Sequence, residues 1–508
     1  MMEDYKKRIG KLILETRKLR NLTQNELAEK LGTSQSAINR IEAGKQNVSL
    51  SMIAKISEVL SSDIIRFNPT GEISFKIHGG NKLHGSIKVN TSKNAAVALL
   101  CASLLNKSST VLKRVAKIEE VYRIIEVLNS IGVKTKWINK DKDLEITPPK
   151  ELNLDGLNEE AAKKTRSVIM LFGPLLHYKK SFKLPYAGGC NLGKRTIEPH
   201  LQGLKHFGLD VKITKDHYEA KVSPTKKDVK IVLSERGDTV TENILMAAAL
   251  SPYKTTIVNA SSNYMVQDLC FYLMKLGVKI SGLGTTKLEI IGKNSIAKRV
   301  EYAISEDPIE AMSFIAAGIT TKSELEIKRC PIDFLEVELQ TLRNMGQKLE
   351  ISEEYLANNN ATKLVDIKIF PSDLTALKDK IAPMPYPGLN IDNLPFFALI
   401  AASASGRTLI HDWVYENRTI YLTELTKLNV DVELVDPHRI FISGCTKWKP
   451  TEIITPPALR PAVVIMLGML AANGTSILRN IYSINRGYED FANRLNSLGA
   501  NIEIIRDI

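Results

Sequence analysis

Over the first sixty residues, apolar positions recur at helical spacing against charged ones. Ile9, Leu12, Ile13 and Leu19 fall on one face of a first predicted helix. Thr23-Gln24-Asn25-Glu26 has capping-box spacing, and Leu27, Ala28 and Leu31 follow on a single side. Gly32 suits the left-handed residue of a tight turn, and Thr33 or Ser34 can cap a third helix with Ala37, Ile38 and Ile41 inside. Two short helices about a glycine turn form the helix-turn-helix pattern, whose second helix enters the major groove of DNA. The exposed positions Gln24, Ser34, Gln35, Ser36, Asn39 and Arg40 carry amides, hydroxyls and a guanidinium suited to base edges and phosphates. A small helical bundle serving as a protein-interaction cap is the other reading. The Pro and Gly of IIRFNPTGEI, residues 64–73, mark a short linker.

Beyond residue 73 the pattern changes to α/β and repeats. A helix end running into a strand recurs six times, as in VLNSIGVKTKW and LNSLGANIEI, with Gly132, Gly208, Gly277, Gly346, Asn429 and Gly499 at the junctions. Glycine or asparagine just past a helix is the expected left-handed cap. Each junction follows a segment such as NAAVALLCASLL or SFIAAGITTKSELEI, apolar on several sides and rich in small residues, which predicts a helix buried between layers.

The chain has 508 residues with 44% hydrophobic, enough for several cores. Its five cysteines form no CxxC pair, no apolar run reaches membrane length, and the N-terminus lacks a secretory apolar stretch, so a soluble cytoplasmic protein is expected. The net charge of +13 is spread along the chain, and residues 1–65 carry only about +3 of it. So few charges neutralise few phosphates, and specific DNA binding then predicts a homodimer through the N-terminal domain.

Candidate anion-binding groups lie in SKNAA (Lys93, Asn94), GGCNLGKR (Cys190, Lys194, Arg195), YENR (Arg418) and INRGYED (Arg486). No Walker, Rossmann, zincin or nucleophile-elbow motif is present, and no metal site is expected.

The stretch LTQNELAEKLGTSQSAINRIEAGK resembles the Cro/cI-like DNA-binding domains. From about residue 72 onward, GGNKLHGSIKV, KNAA, RSVIMLFGPLL, GGCNLGKR, YPGLNID, YENR and RGYEDFANRLNSLGANIE resemble the UDP-N-acetylglucosamine 1-carboxyvinyltransferase family of peptidoglycan synthesis. That resemblance implies an inside-out α/β barrel of six βαβαββ-type repeats in two lobes with the site between them. The expected division is 1–66 for the helix-turn-helix and 67–508 for the body. Residues 92–298 with the chain ends 72–91 and 478–508 would form one lobe, and 299–477 the other. Lys93, Arg195 and Arg418 would hold phosphoenolpyruvate, Cys190 would protonate its methylene carbon, and Asp307 and Asp392 would move the proton of the sugar hydroxyl. Asn94, Arg166, Glu198, Gly237 and Asp307 would hold the nucleotide sugar. No cofactor is implied.

The sequence departs from the family around the uridine pocket. Arg195-Thr196-Ile197-Glu198-Pro199-His200 replaces R-P-V-D-L-H, and Glu235 and Arg236 stand where small or apolar residues are usual. The family's D-R-I-E reads Asp307-Pro308-Ile309-Glu310, and D-L-R-A reads Ala458-Leu459-Arg460-Pro461. Two alternatives therefore stay open, a different nucleotide or nucleoside acceptor, and a DNA-binding regulator that senses a cell-wall precursor.

Overall fold

The computed structural model describes residues 2–19, 22–49, 52, 53, 55, 56, 59, 73–188 and 196–506. Residues Met1–Ile73 and Ile505–Ile508 fall into one compact unit and Ser74–Ile504 into another.

The first unit opens with three helices, α1 (Met2–Leu19), α2 (Gln24–Leu31) and α3 (Gln35–Glu42). Thr23 and Glu26 form the expected reciprocal capping box, and Gly32 closes α2 at φ 63°. Ser34, one of the two candidates, caps α3 by accepting from the Ala37 N–H. Ile13, Leu27, Ile38, Ile41 and Ile56 form a closed apolar core. Burying such a stripe on each helix is what lets elements of eight residues persist.

The larger unit holds six small sheets, three per lobe. Helices α4 (Lys93–Ala102), α5 (Glu119–Ser130), α6 (Glu198–Lys205), α7 (Asp238–Ala249) and α8 (Tyr264–Lys275) belong to one lobe. The other carries α9 (Pro308–Thr320), α10 (Glu336–Asn344), α11 (Leu394–Ser403), α12 (Arg418–Leu422), α13 (Leu459–Ala471) and α14 (Phe491–Asn496). Of these, α4, α7, α9, α11 and α13 are the small-residue helices, and α9 is buried along its whole length. In the second repeat the same place is taken by the turn Arg166–Leu171 and the helix Phe172–Leu175. All six predicted junctions are left-handed, with φ of 95°, 86°, 94°, 98°, 71° and 97° in order.

Sheet pairing corrects the expected lobes. Strand β1 (Ile73–Gly79) pairs with β8 (Gly474–Arg479) in the register Phe75 to Leu478 and lies beside β9 (Ile502–Arg506). Strand β2 (Ser86–Lys88) runs parallel to β6 (Leu325–Pro331), which is antiparallel to β7 (Lys363–Ile369). Both chain ends thus complete the second lobe, not the one holding residues 92–298. In the first lobe, β3 (Thr110–Lys113) pairs antiparallel with β4 (Asp143–Thr147) and parallel with β5 (Val300–Ala303). The physical reason is backbone satisfaction: a three-residue strand such as β2 holds only against a longer partner, and that partner comes after the chain has returned from the other lobe.

Candidate active site

Two crossover segments, residues 89–92 and 304–307, carry the chain between lobes. They lie antiparallel, with Thr91 bridged to Glu306. The Ser92 N–H donates to Ser305 O at 2.8 Å, and the Asp307 N–H to Asn90 O at 2.9 Å. Each then turns into a buried helix. Ser92 caps α4 by accepting from the Ala95 N–H at 3.1 Å, and Asp307 caps α9 by accepting from the Ile309 N–H at 2.8 Å. Lys93 and Asp307 consequently stand at two neighbouring helix N-termini, one per lobe, where free N–H groups favour anions.

The charges around this point are arranged unevenly. Lys93 Nζ lies 2.7 Å from Glu120 Oε2 on α5, and Ser167 Oγ donates to the same carboxylate at 2.9 Å. Burial works to raise the Glu120 pKa, but Lys93, Arg486 and Ser167 outweigh it and bring it to about 2. Burial pushes the Asp307 carboxyl up, only partly opposed by Arg460 and by the backbone N–H groups of Ile309, Glu310 and Lys93. For Asp392 burial also opposes the charge, yet Arg460, Arg418 and Lys93 prevail and hold it below the usual range. Two carboxyls that share Arg460 are thus driven in opposite directions, the arrangement by which a site separates a proton acceptor from a fixed charge.

Arg418 is held by the Asp412 carboxylate at 2.5 Å and by Ile391 O at 2.7 Å, and its Nη1 lies 3.6 Å from Asp392. Arg460 donates to Tyr488 Oη at 2.9 Å. Arg486 Nε is buried with no hydrogen-bond acceptor among the described residues. A narrow crevice between the lobes is lined by Lys93, Asp307, Glu310, Arg460, Tyr488 and Glu489. Among the described residues no cluster suited to a metal ion occurs.

Asn94 Nδ2 donates to Tyr264 Oη at 3.0 Å, close to the same crevice. Arg166 donates to Thr196 O at 3.1 Å, Glu198 is exposed at the start of α6, and Gly237 is the residue before α7. His200 joins these last two helices, meeting Asn243 Nδ2 at 3.1 Å, and burial followed by the Arg166 charge pushes its pKa down to about 3. Arg236 is tied by its Nε to Asn259 Oδ1 at 3.2 Å, while Glu235 is exposed. The Cys190 and Arg195 assignments lie outside the described residues. The segment leading to them is constrained at Gly188, where an added Cβ would sit 1.5 Å from Lys163 O.

Sequence reasoning passed over three groups. Glu120 and Glu338 bear no motif, and Arg460 stood out only as part of a departure. Glu338 on α10 accepts from the Asn390 N–H at 2.9 Å and from Asn393 Nδ2 at 2.8 Å, so it fixes the loop carrying Asp392. Asn390 in turn reaches Asn263 in the other lobe at 3.5 Å.

In the N-terminal unit, Ser34, Gln35, Ser36, Asn39 and Arg40 are exposed on and just before α3, and Gln24 is half-buried. Gln24 is tied within the domain through both ends of its amide. Its Nε2 donates to Glu42 at 2.8 Å and its Oε1 accepts from Gln35 at 2.8 Å, while Arg17 Nε donates to Glu42 at 2.6 Å. A buried ion pair thereby anchors the orientation of Gln35.

Comparison with known proteins gives two family matches, "EPSP synthase (3-phosphoshikimate 1-carboxyvinyltransferase)" over residues 77–495 and "Helix-turn-helix" over residues 13–66. UDP-N-acetylglucosamine 1-carboxyvinyltransferase of Porphyromonas gingivalis is 32% identical over 437 residues, covering 84% of this chain and 99% of the relative. The protein of the same name from Treponema denticola is 32% identical over 429 residues, covering 84% and 98%. Among solved structures, the enolpyruvyl transferase NikO from Streptomyces tendae has a TM-score of 0.73 at 22% identity, covering 86% of this chain and 100% of that one. EPSP synthase from Acinetobacter baumannii has a TM-score of 0.67 at 19% identity, covering 85% and 100%.

Proposed function

Because the chain belongs to the EPSP synthase family of enolpyruvyl transferases, with a helix-turn-helix domain at its front, we propose that it transfers the enolpyruvyl group of phosphoenolpyruvate to the 3′-hydroxyl of UDP-N-acetylglucosamine, releasing phosphate. The observation carrying this reading is the meeting of Lys93 and Asp307 at paired helix N-termini, facing Asp392 between Arg418 and Arg460. Phosphoenolpyruvate brings a phosphate and a carboxylate, which charge-assisted donors of this kind suit.

In the addition step the acceptor oxygen attacks C2 of phosphoenolpyruvate as its proton leaves, and Cys190 gives a proton to C3. Asp307 takes the hydroxyl proton, a role supported by its raised affinity for protons. Asp392 stays ionised and steadies the proton transfer, which its arginine partners support. Lys93, Arg195 and Arg418 bind the phosphate and carboxylate. Elimination then removes a proton from C3 and expels phosphate, leaving the enol ether. The fixed cations stabilise charge that shifts between carboxylate and phosphate. Asn94, Arg166, Glu198, Gly237 and Asp307 hold the nucleotide sugar.

Arg236, anchored to Asn259, favours a second reading in which the acceptor is another nucleotide. Phosphate release from phosphoenolpyruvate with a panel of nucleotide sugars separates the two. Turnover with UDP-N-acetylglucosamine supports the first. Turnover only with another nucleotide, restored to UDP-N-acetylglucosamine by Glu235→Ser with Arg236→Val, establishes the second. No phosphate release with any acceptor defeats both and leaves the sensing role. The N-terminal domain binds DNA through α3 as a homodimer, and deleting residues 1–66 leaves transfer intact.

A further inference from the structure

The crossover pair has a charged clasp that the transfer chemistry does not use. Glu306, fully buried, accepts through one oxygen, Oε1, from arginines of both lobes. Arg114 comes from the end of β3 in the first lobe, and Arg329 from β6 in the second, at 2.7 Å through Nη2 and 2.9 Å through Nε.

The two arginines are structural equivalents. Each sits at a left-handed backbone position, φ 56° and 65°, uncommon for a residue with a side chain. Each gives its own N–H to an aspartate on the neighbouring antiparallel strand, Arg114 to Asp143 at 3.0 Å and Arg329 to Asp366 at 2.9 Å. Next to β3 and β6 run the parallel strands β5 and β2, which lead into the two crossovers. At Arg329 the pairing register also shifts, the kind of irregularity that re-aims a side chain. Two lobes of like construction therefore point like arginines at one carboxylate on their shared boundary. Thr91, across from Glu306, spends its hydroxyl on Arg114 O.

We propose that Glu306 is a positioning residue: by joining Arg114 of one lobe to Arg329 of the other, it locks the crossover pair and so holds Lys93 and Asp307 in register across the cleft. Both residues lie within two positions of the Thr91–Glu306 bridge, so slippage there moves both helix N-termini at once. Loss of the carboxylate leaves two arginines facing each other with no anion between them, and the crossovers part.

The kinetic arm of the test rests on the transfer reading, and the exchange arm stands without it. In the full chain, Glu306→Gln keeps the size and removes the charge. Hydrogen exchange should accelerate roughly tenfold in peptides covering 88–93 and 304–309 while the β4 and β7 strands keep wild-type protection. Misplacement at this point should lower kcat by about tenfold or more while acceptor affinity by calorimetry changes less than about twofold, because Asn94, Arg166, Glu198 and Gly237 all lie in the first lobe and only Asp307 meets the acceptor from the second. Arg329→Gln, which leaves Glu306 one partner, should show the same pattern more weakly and serves if the first variant does not fold. Unchanged exchange at the crossovers overturns the proposal. So does acceleration spread evenly through both lobes, or kcat and acceptor affinity falling together. If the wild type releases no phosphate with any acceptor, the transfer reading fails and the exchange result alone decides.

Discussion

Arg460 Nη2 lies 3.3 Å from Asp392 Oδ2, tying the first turn of α13 to the loop that leads into α11. The same guanidinium also lowers the proton affinity of Asp307, which burial raises. One buried arginine thus acts on both carboxyls of the cleft.

Arg460→Gln should raise the proton affinity of Asp307 further, because the opposing positive charge is gone. The acid limb of kcat/KM then moves to higher pH, and kcat falls by roughly 100-fold through lost charge stabilisation. A pH profile of phosphate release checks this, and an acid limb that stays in place would falsify the role of Asp307.

Lys93→Met should destabilise the body by about 1–3 kcal/mol, since the largely buried Glu120 loses its hydrogen-bonded cation and keeps only the charge of Arg486. Adding Glu120→Gln should recover most of that stability and none of the activity. The sign of the pH effect follows from the lowered Glu120 pKa. Its contribution is complete above about pH 4.5 and is lost as pH falls toward 2. Acid titration monitored by circular dichroism should show this loss in the wild type and a smaller one in Glu120→Gln.

The cysteines predict a selective labelling experiment. Cys101, Cys270 and Cys330 are buried, and burial pushes their thiols up, while Cys445 is exposed. An epoxide such as fosfomycin should label Cys190, and Cys190→Ser should abolish labelling and lower phosphate release by roughly 100-fold. Peptide mass mapping that finds the adduct on Cys445 instead rejects Cys190 as the reactive thiol.

For the N-terminal domain, Gln35→Ala and Asn39→Ala should each weaken specific DNA binding by roughly 1–3 kcal/mol. Glu42→Gln touches no DNA, yet it should relax sequence preference, because Gln24 and Gln35 lose their anchor. Selection from a random DNA pool at low salt reads both effects. Recovery of no preferred sequence by the wild type rejects DNA binding and favours the protein-interaction reading.

Much of this architecture was legible in the chain because it is local. The Thr23 capping box, the Gly32 turn and the six left-handed junctions depend on a few adjacent residues, and each stands where its residue type placed it. The small-residue helices were equally readable, since apolarity on every side leaves burial as the only outcome. Lobe membership was not legible: residues 72–91 are next to one lobe in sequence, but β1 and β2 find their hydrogen-bond partners some 240 to 400 positions later. Glu120, Glu338 and Glu306 were silent for the same reason. A carboxylate acquires its meaning from the cations and N–H groups that the fold brings to it, and here those come from Lys93, Asn390, Arg114 and Arg329 on distant strands, helices and loops. The sequence determined the elements and their caps through local sterics and apolar periodicity, whereas the field around Asp307 and Asp392 was decided only when the crossovers set two helix ends side by side.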